Sequence, residues 1–95
     1  MAIGLLMEFP GMGQEQYDAL IDELELGGIM PAGGISHVAG PTEACWRVVE
    51  VWESQEAFDL FFRDRLHQAL HYAGIEPPRV DAWLVYNTLA PAHPL

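Results

Sequence analysis

Glu50 stands in the run CWRVVEVW, residues 45 to 52, with Trp46 and Trp52 at strand spacing on either side. In a cavity lined by Trp46, Trp52 and Trp83, a carboxylate would lose hydration, its pKa would rise, and it could serve as general base or acid on a phenol or enol. The bland role for the same residue is an ion pair with Arg47 or Arg79, or exposure at a rim. His37 is the second candidate, because imidazole carries protons near neutral pH; its bland role is that of a hydrogen-bonded interface histidine. Tyr86 and Asn87 alternate, so on a regular strand only one of them could orient a ligand oxygen. The tryptophans could stack on a planar aromatic substrate or simply fill core. The candidate set is therefore Glu50 and His37 for catalysis, with Trp46, Trp52, Trp83, Asn87 and Tyr86 for substrate binding. A base, a flat pocket and exclusion of water let an electron-rich phenol react directly with dioxygen without a metal, and a cyclase needs almost the same parts.

Other chemistry-bearing residues form weaker sets. Asp64, His67 and His71 share one helical face at i, i+3 and i+7, and such an exposed set of three is a poor metal site. Exposed histidines near a helix C-terminus are favourable in their own right. Cys45 has no histidine at fixed sequence reach and reads as a buried, inert thiol. The glycine pairs and "GMG" at 11 to 13 lack the spacing and partners of a phosphate loop. No cofactor and no metal are expected.

The chain has 95 residues, which suits one domain over residues 1 to 95, and extra burial in an oligomer would help a chain this short. It carries 4 basic residues, all arginine, against 14 acidic ones, for a formal net charge of -10. Such a surface repels phosphate backbones and anionic membranes, so nucleic acid and membrane partners are set aside, while cationic or neutral ligands are mildly favoured. A lone cysteine excludes an intrachain disulfide framework. The opening "MAIGLLMEFPG" lacks a basic n-region and is broken by Glu8 and Pro10, so it reads as a strand rather than a signal peptide. A cytoplasmic protein is the default.

Alternation and turn residues predict strands over residues 2 to 9, about 35 to 40, 45 to 52 and 80 to 89. A period of about 3.6 predicts a helix from Gln14 to Leu26, closed by Gly27 and Gly28. A second helix is capped by Ser54 and runs to about Ala73, with Phe58, Phe61, Phe62, Arg65, Leu66, Ala69, Tyr72 and Ala73 in one arc and an Asp59 to Arg63 pair outside it. The order β-α-β-β-α-β maps onto a four-stranded antiparallel sheet with both helices on one face, an α+β ferredoxin-like sandwich. Neither face of the third and fourth strands is convincingly polar. The second face is therefore expected to pack against the same face of another copy, making a homodimer. Small Val49 and Val51 suit the layer beneath the helices, and the tryptophans with Glu50, Trp83 and Asn87 suit a roomier space between sheets. Hairpin register decides whether His37 or Ser36 joins Glu50; His37 is the expectation.

The stretches "SHVAGP", "WRVVEVWESQEAFDLFF" and "VYN", with the element order and length, resemble the dimeric α+β barrel superfamily, near the antibiotic-biosynthesis monooxygenase group. The resemblance implies a barrel made by two ferredoxin-like protomers and a cavity under the helices or inside the barrel. It implies activities such as cofactor-independent oxygenation of polycyclic phenols, polyketide cyclisation or haem breakdown. The haem-degrading arrangement is not carried over, because the first strand has no asparagine and the strand-to-helix motif no histidine. Two functions follow as alternatives: a cofactor-independent monooxygenase or polyketide-cyclase-like enzyme acting on a flat phenolic or polyketide-type molecule, or a non-catalytic binding or homodimeric structural protein. A connected pocket of roughly 300 Å³ or more, reached by Glu50 or His37, favours the first; tryptophans packed solidly across an interface favour the second.

Overall fold

The computed structural model describes residues 1–92; the end of the proline-containing tail lies outside them. Strand β1 spans Ile3–Pro10, helix α1 Gln14–Leu24, β2 Gly34–Pro41, β3 Cys45–Trp52 and β4 Arg79–Leu84. Between β3 and β4 runs helix α2, which is α-helical over Gln55–Phe61, π-helical over Phe62–Leu66 and α-helical again over His67–Tyr72. The strands form one antiparallel sheet in the order β2-β3-β1-β4. This is the ferredoxin-like topology. The expected barrel is corrected by the same observation: β2 and β4 lie at opposite edges and do not pair with each other, so the sheet stays open, whereas closure requires every edge to find a partner.

Alternation in β1 fixes which side is inside. Ile3, Leu5, Met7 and Phe9 are buried, and their register partners on β3 are Trp52, Glu50, Val48 and Trp46. These residues lie beneath the helices, which corrects the expectation for that layer. Val49 and Val51 point to the open face instead, with Val49 exposed. Bulk explains the choice. The gap between a sheet and a helix layer is deep enough to need large rings, and Trp52, fully buried, fills it by packing against Phe58 and Phe61 at centroid distances of 5.5 and 5.3 Å.

Helix α1 starts where the Gln16 side chain accepts the Gly13 N–H at 2.8 Å. It ends at Leu24, two residues earlier than expected, because Glu25 adopts a left-handed conformation at φ 52°. The Arg65 guanidinium, held over the Phe61 ring, donates to the Leu24 carbonyl and places a cation at the negative helix end. In α2 the Ser54 hydroxyl accepts the Ala57 N–H at 3.1 Å, as an N-cap should. The wide turn, in which the His67 N–H reaches the Phe62 carbonyl, rotates the second half of the helix so that Leu66, Ala69 and Leu70 all reach the core. Tyr72, expected in the aromatic arc, is consequently exposed. Arg63 pairs with Asp64 at 2.7 Å rather than with Asp59, which takes the Gln55 amide.

Trp83 belongs to the open face. Its register partner is Gly4, and a methyl group on Gly4 would lie 2.5 Å from the indole ring. The ring therefore lies flat on backbone that only glycine leaves uncovered. Gly4→Ala should lower stability by about 1 to 2 kcal/mol by displacing the indole, and should have almost no effect in a Trp83→Ala background. Urea midpoints of the four proteins test the coupling; equal losses in both backgrounds would mean the ring does not rest there.

Candidate functional site

Three local features assemble the site. The β2–β3 hairpin closes through Thr42, whose N–H and hydroxyl donate to the Cys45 carbonyl at 2.7 and 2.9 Å and whose oxygen accepts the Cys45 N–H at 3.0 Å. That loop sets the register in which His37 lies opposite Glu50 and Ser36 opposite Val51. A bulge between Gly34 and Ser36 absorbs the misfit at the far end of the hairpin. His37 and Glu50 thus share the face beneath the helices. Helix α1 crosses above them and lowers Tyr17 onto His37.

The polar groups form one continuous line. Glu50, only 6% exposed, accepts the Trp52 indole N–H through Oε1 at 2.9 Å and meets His37 Nδ1 through Oε2 at 2.6 Å. His37 Nε2 lies 2.6 Å from the Tyr17 hydroxyl. An ionised Glu50 can only accept, so Nδ1 carries the imidazole proton, and Nε2 then accepts from the Tyr17 O–H. Burial first, and then the negative charges of Glu50 and Asp18, push the Tyr17 pKa up from 10.0, which keeps the phenol protonated and suited to donate. Trp46 stacks on the Tyr17 ring at a centroid distance of 5.1 Å and holds it in place. The Trp46 indole N–H is itself buried without a hydrogen-bond partner among the described residues.

This line opens into a cavity of about 700 Å³ between the sheet and α1. Met7, Phe9, Leu20, Leu24, Phe61 and Leu66 make its walls apolar, and Tyr17, Ser36, His37 and Glu50 are its polar lining. The connector from Leu26 to Pro31 forms the mouth, turning through Gly27 and Gly28 at φ 67° and 80°. A broader depression beside α2 and Val80 holds none of the candidate residues.

The structure brings together Glu50, His37 and Trp52, with Trp46 one layer behind through Tyr17. It separates Trp83, Tyr86 and Asn87 from them. Trp83 lies on the opposite face of the sheet, and β4 ends at Leu84, short of the expected residue 89, leaving Tyr86 and Asn87 exposed beyond it. Neither anticipated arginine pairs with Glu50: Arg47 binds Glu8 at 2.9 Å and Arg79 approaches Asp81 at 3.8 Å. Asp64 is occupied by Arg63. Tyr17 is the residue that sequence reasoning passed over, since it reads as one more apolar position on an amphipathic helix. Its hydroxyl was the available signal, because a buried phenol needs a partner.

No family model matches the chain, and no curated protein does. Solved structures do. Rv0793 from Mycobacterium tuberculosis is 13% identical, with a TM-score of 0.72 over 95% of this chain and 100% of that one. A variant of SnoaB, a cofactor-independent oxygenase from Streptomyces nogalater, is 13% identical, with a TM-score of 0.68 over 93% and 96%. The ActVA-Orf6 monooxygenase of Streptomyces coelicolor, solved with nanaomycin D, is 19% identical, with a TM-score of 0.65 over 96% and 93%. The likeness establishes a shared fold.

The raised Tyr17 pKa has a consequence for stability. A phenol whose folded pKa lies above its unfolded value stabilises the fold fully below that unfolded value, and the contribution disappears as pH rises through the folded pKa. Between about pH 8 and about pH 11, the urea midpoint of the wild type should therefore fall more steeply than that of Tyr17→Phe. Parallel slopes would show that ionising Tyr17 is no harder in the folded protein.

Proposed function

We propose that the protein is a cofactor-independent monooxygenase of flat, electron-rich phenols, with His37 as the base and Glu50 as the carboxylate that orients and charges it. The observation that carries this reading is the unbroken line from Trp52 through Glu50 and His37 to Tyr17, ending in an apolar cavity more than twice the size required of an enzyme pocket by the criterion above. The fold shared with SnoaB and ActVA-Orf6 agrees with it but does not by itself assign chemistry.

The steps follow from the groups present. A phenol lying against the apolar walls directs its hydroxyl to Tyr17. As the substrate proton moves to the Tyr17 oxygen, the Tyr17 proton moves to His37 Nε2, and the imidazolium that forms is stabilised by the Glu50 carboxylate beneath it. The resulting phenolate is the reductant. One electron passes to dioxygen, the superoxide and the phenoxyl radical combine at a ring carbon to form a C–O bond, the peroxide so formed takes back the proton held on His37, and the hydroperoxide loses water to leave a carbonyl. Overall, a CH₂ of the substrate's keto tautomer and O₂ become C=O and H₂O. The water takes both substrate hydrogens and one oxygen atom, and no other reductant is consumed. Apolar walls matter because they keep bulk water from reprotonating the anion.

The assembly in this reading is a homodimer. Leu6, Val38, Val49, Val51 and Trp83 form an apolar band on the open face, with Val38 69% exposed and Trp83 50% exposed. A second copy of the same face is the natural cover for such a band.

Two measurements test these proposals. With a polycyclic phenol under dioxygen, Glu50→Gln and His37→Ala should each lower kcat by about 10²- to 10⁴-fold, with KM much less affected. Oxygen consumption at the wild-type rate in both variants would overturn the site assignment. Light scattering at micromolar concentration should give twice the chain mass for the wild type and the single-chain mass for Val49→Arg; a stable wild-type monomer would remove the dimer.

A further inference from the structure

None of the four arginines, the only side-chain cations of fixed charge in a chain without lysine, is among the residues that line the cavity, although Arg65 lies behind its Leu24 and Phe61 walls. Arg47 is tied to Glu8 on the open face, Arg63 to Asp64, Arg79 to Asp81, and Arg65 to the Leu24 carbonyl. Among the described residues the one carboxylate in the cavity lining is Glu50, and the other polar side-chain groups beneath the helices there are the Tyr17 hydroxyl, the Trp52 indole N–H and the imidazole of His37. Both Glu50 oxygens already accept hydrogen bonds, from Trp52 and His37.

We infer that the cavity selects uncharged ligands, and that it rejects carboxylates and ammonium ions of the same shape. The inference rests on reading this cavity as the substrate site, and it narrows the substrate to a neutral molecule whose ionisable group is a single weakly acidic hydroxyl. An anionic substituent would be stripped of water against leucine, methionine and phenylalanine, would find no arginine among the described lining residues and would face the Glu50 carboxylate, all within a protein of net charge -10. An ammonium ion would lose the same hydration, while the one lining carboxylate that could repay it is buried and already shares its charge with the Trp52 and His37 N–H groups. A phenol escapes both penalties. It enters neutral and becomes an anion only as its proton passes into the Tyr17 and His37 line, so the only negative charge tolerated is one the site itself creates.

Isothermal calorimetry at neutral pH tests this with four probes of one ring system: 1-naphthol, 1-naphthamide, 1-naphthoate and protonated 1-naphthylmethylamine. The amide and the carboxylate have nearly the same shape and differ in charge. Naphthol and naphthamide should bind at least about tenfold more tightly than the carboxylate and the ammonium ion. In Glu50→Gln, the preference for naphthamide over naphthoate should narrow, because one repelling charge is gone. Equal affinity for amide and carboxylate, tighter binding of either ion, or failure of both neutral probes to bind would overturn the inference. Turnover is a separate reading. Selection by charge without oxygen consumption by any phenol would leave this inference standing and remove the oxygenase.

Discussion

A carboxylate buried beneath two helices has to be held by donors or it loses its charge, and this constraint organises the molecule around Glu50. Its two oxygens are supplied by different parts of the fold. Trp52 comes from the same strand two residues on, and His37 comes from the neighbouring strand through the hairpin register. Slipping that register by one residue would put Ser36 under the helices and turn His37 out, leaving half of the carboxylate unsatisfied. The Thr42 loop therefore matters to the site although it lies at the far end of the hairpin.

The helix layer answers to the same centre. Trp52 needs a wall to stay dry, and Phe58 and Phe61 provide it from the first half of α2. A regular helix through that position would carry the second half out of phase with the sheet. The π-helical turn at Phe62–Leu66 restores the phase and brings Leu66 to the cavity wall, while Arg65 from the same turn holds the last carbonyl of α1. One irregular turn thus fixes both helices relative to the sheet.

Much of this was legible in the sequence. Strand alternation, the change of period at Gln14 and Ser54, and the turn residues gave the element order and the sheet with helices on one side. The pairing of His37 with Glu50 followed from the same alternation once a register was chosen. Face assignment was not legible, because the two sides of β3 and β4 are both apolar, and hydrophobicity cannot say which side a helix covers. The deciding factor was volume: the indoles of Trp46 and Trp52 fit the deep layer, whereas valines suffice on the open side, which admits the Trp83 indole only over bare Gly4. Trp83 was misplaced for the same reason, and its real neighbour, Gly4, is visible only when β1 and β4 are paired. The π-helical turn and the left-handed Glu25 leave no mark in the apolar pattern. Closure into a barrel was an expectation carried by resemblance, whereas the strand order leaves two unpaired edges.

The polar line does not lie within one layer. Tyr17 rides on α1, while His37, Glu50 and Trp52 belong to the hairpin, so the site exists only while that helix is docked. A molecule that wedges between Tyr17 and the sheet acts as a rivet between the two layers. Part of its binding free energy then goes into suppressing local detachment of α1 rather than into affinity. Occupancy of the cavity and docking of the first helix then become two views of one equilibrium.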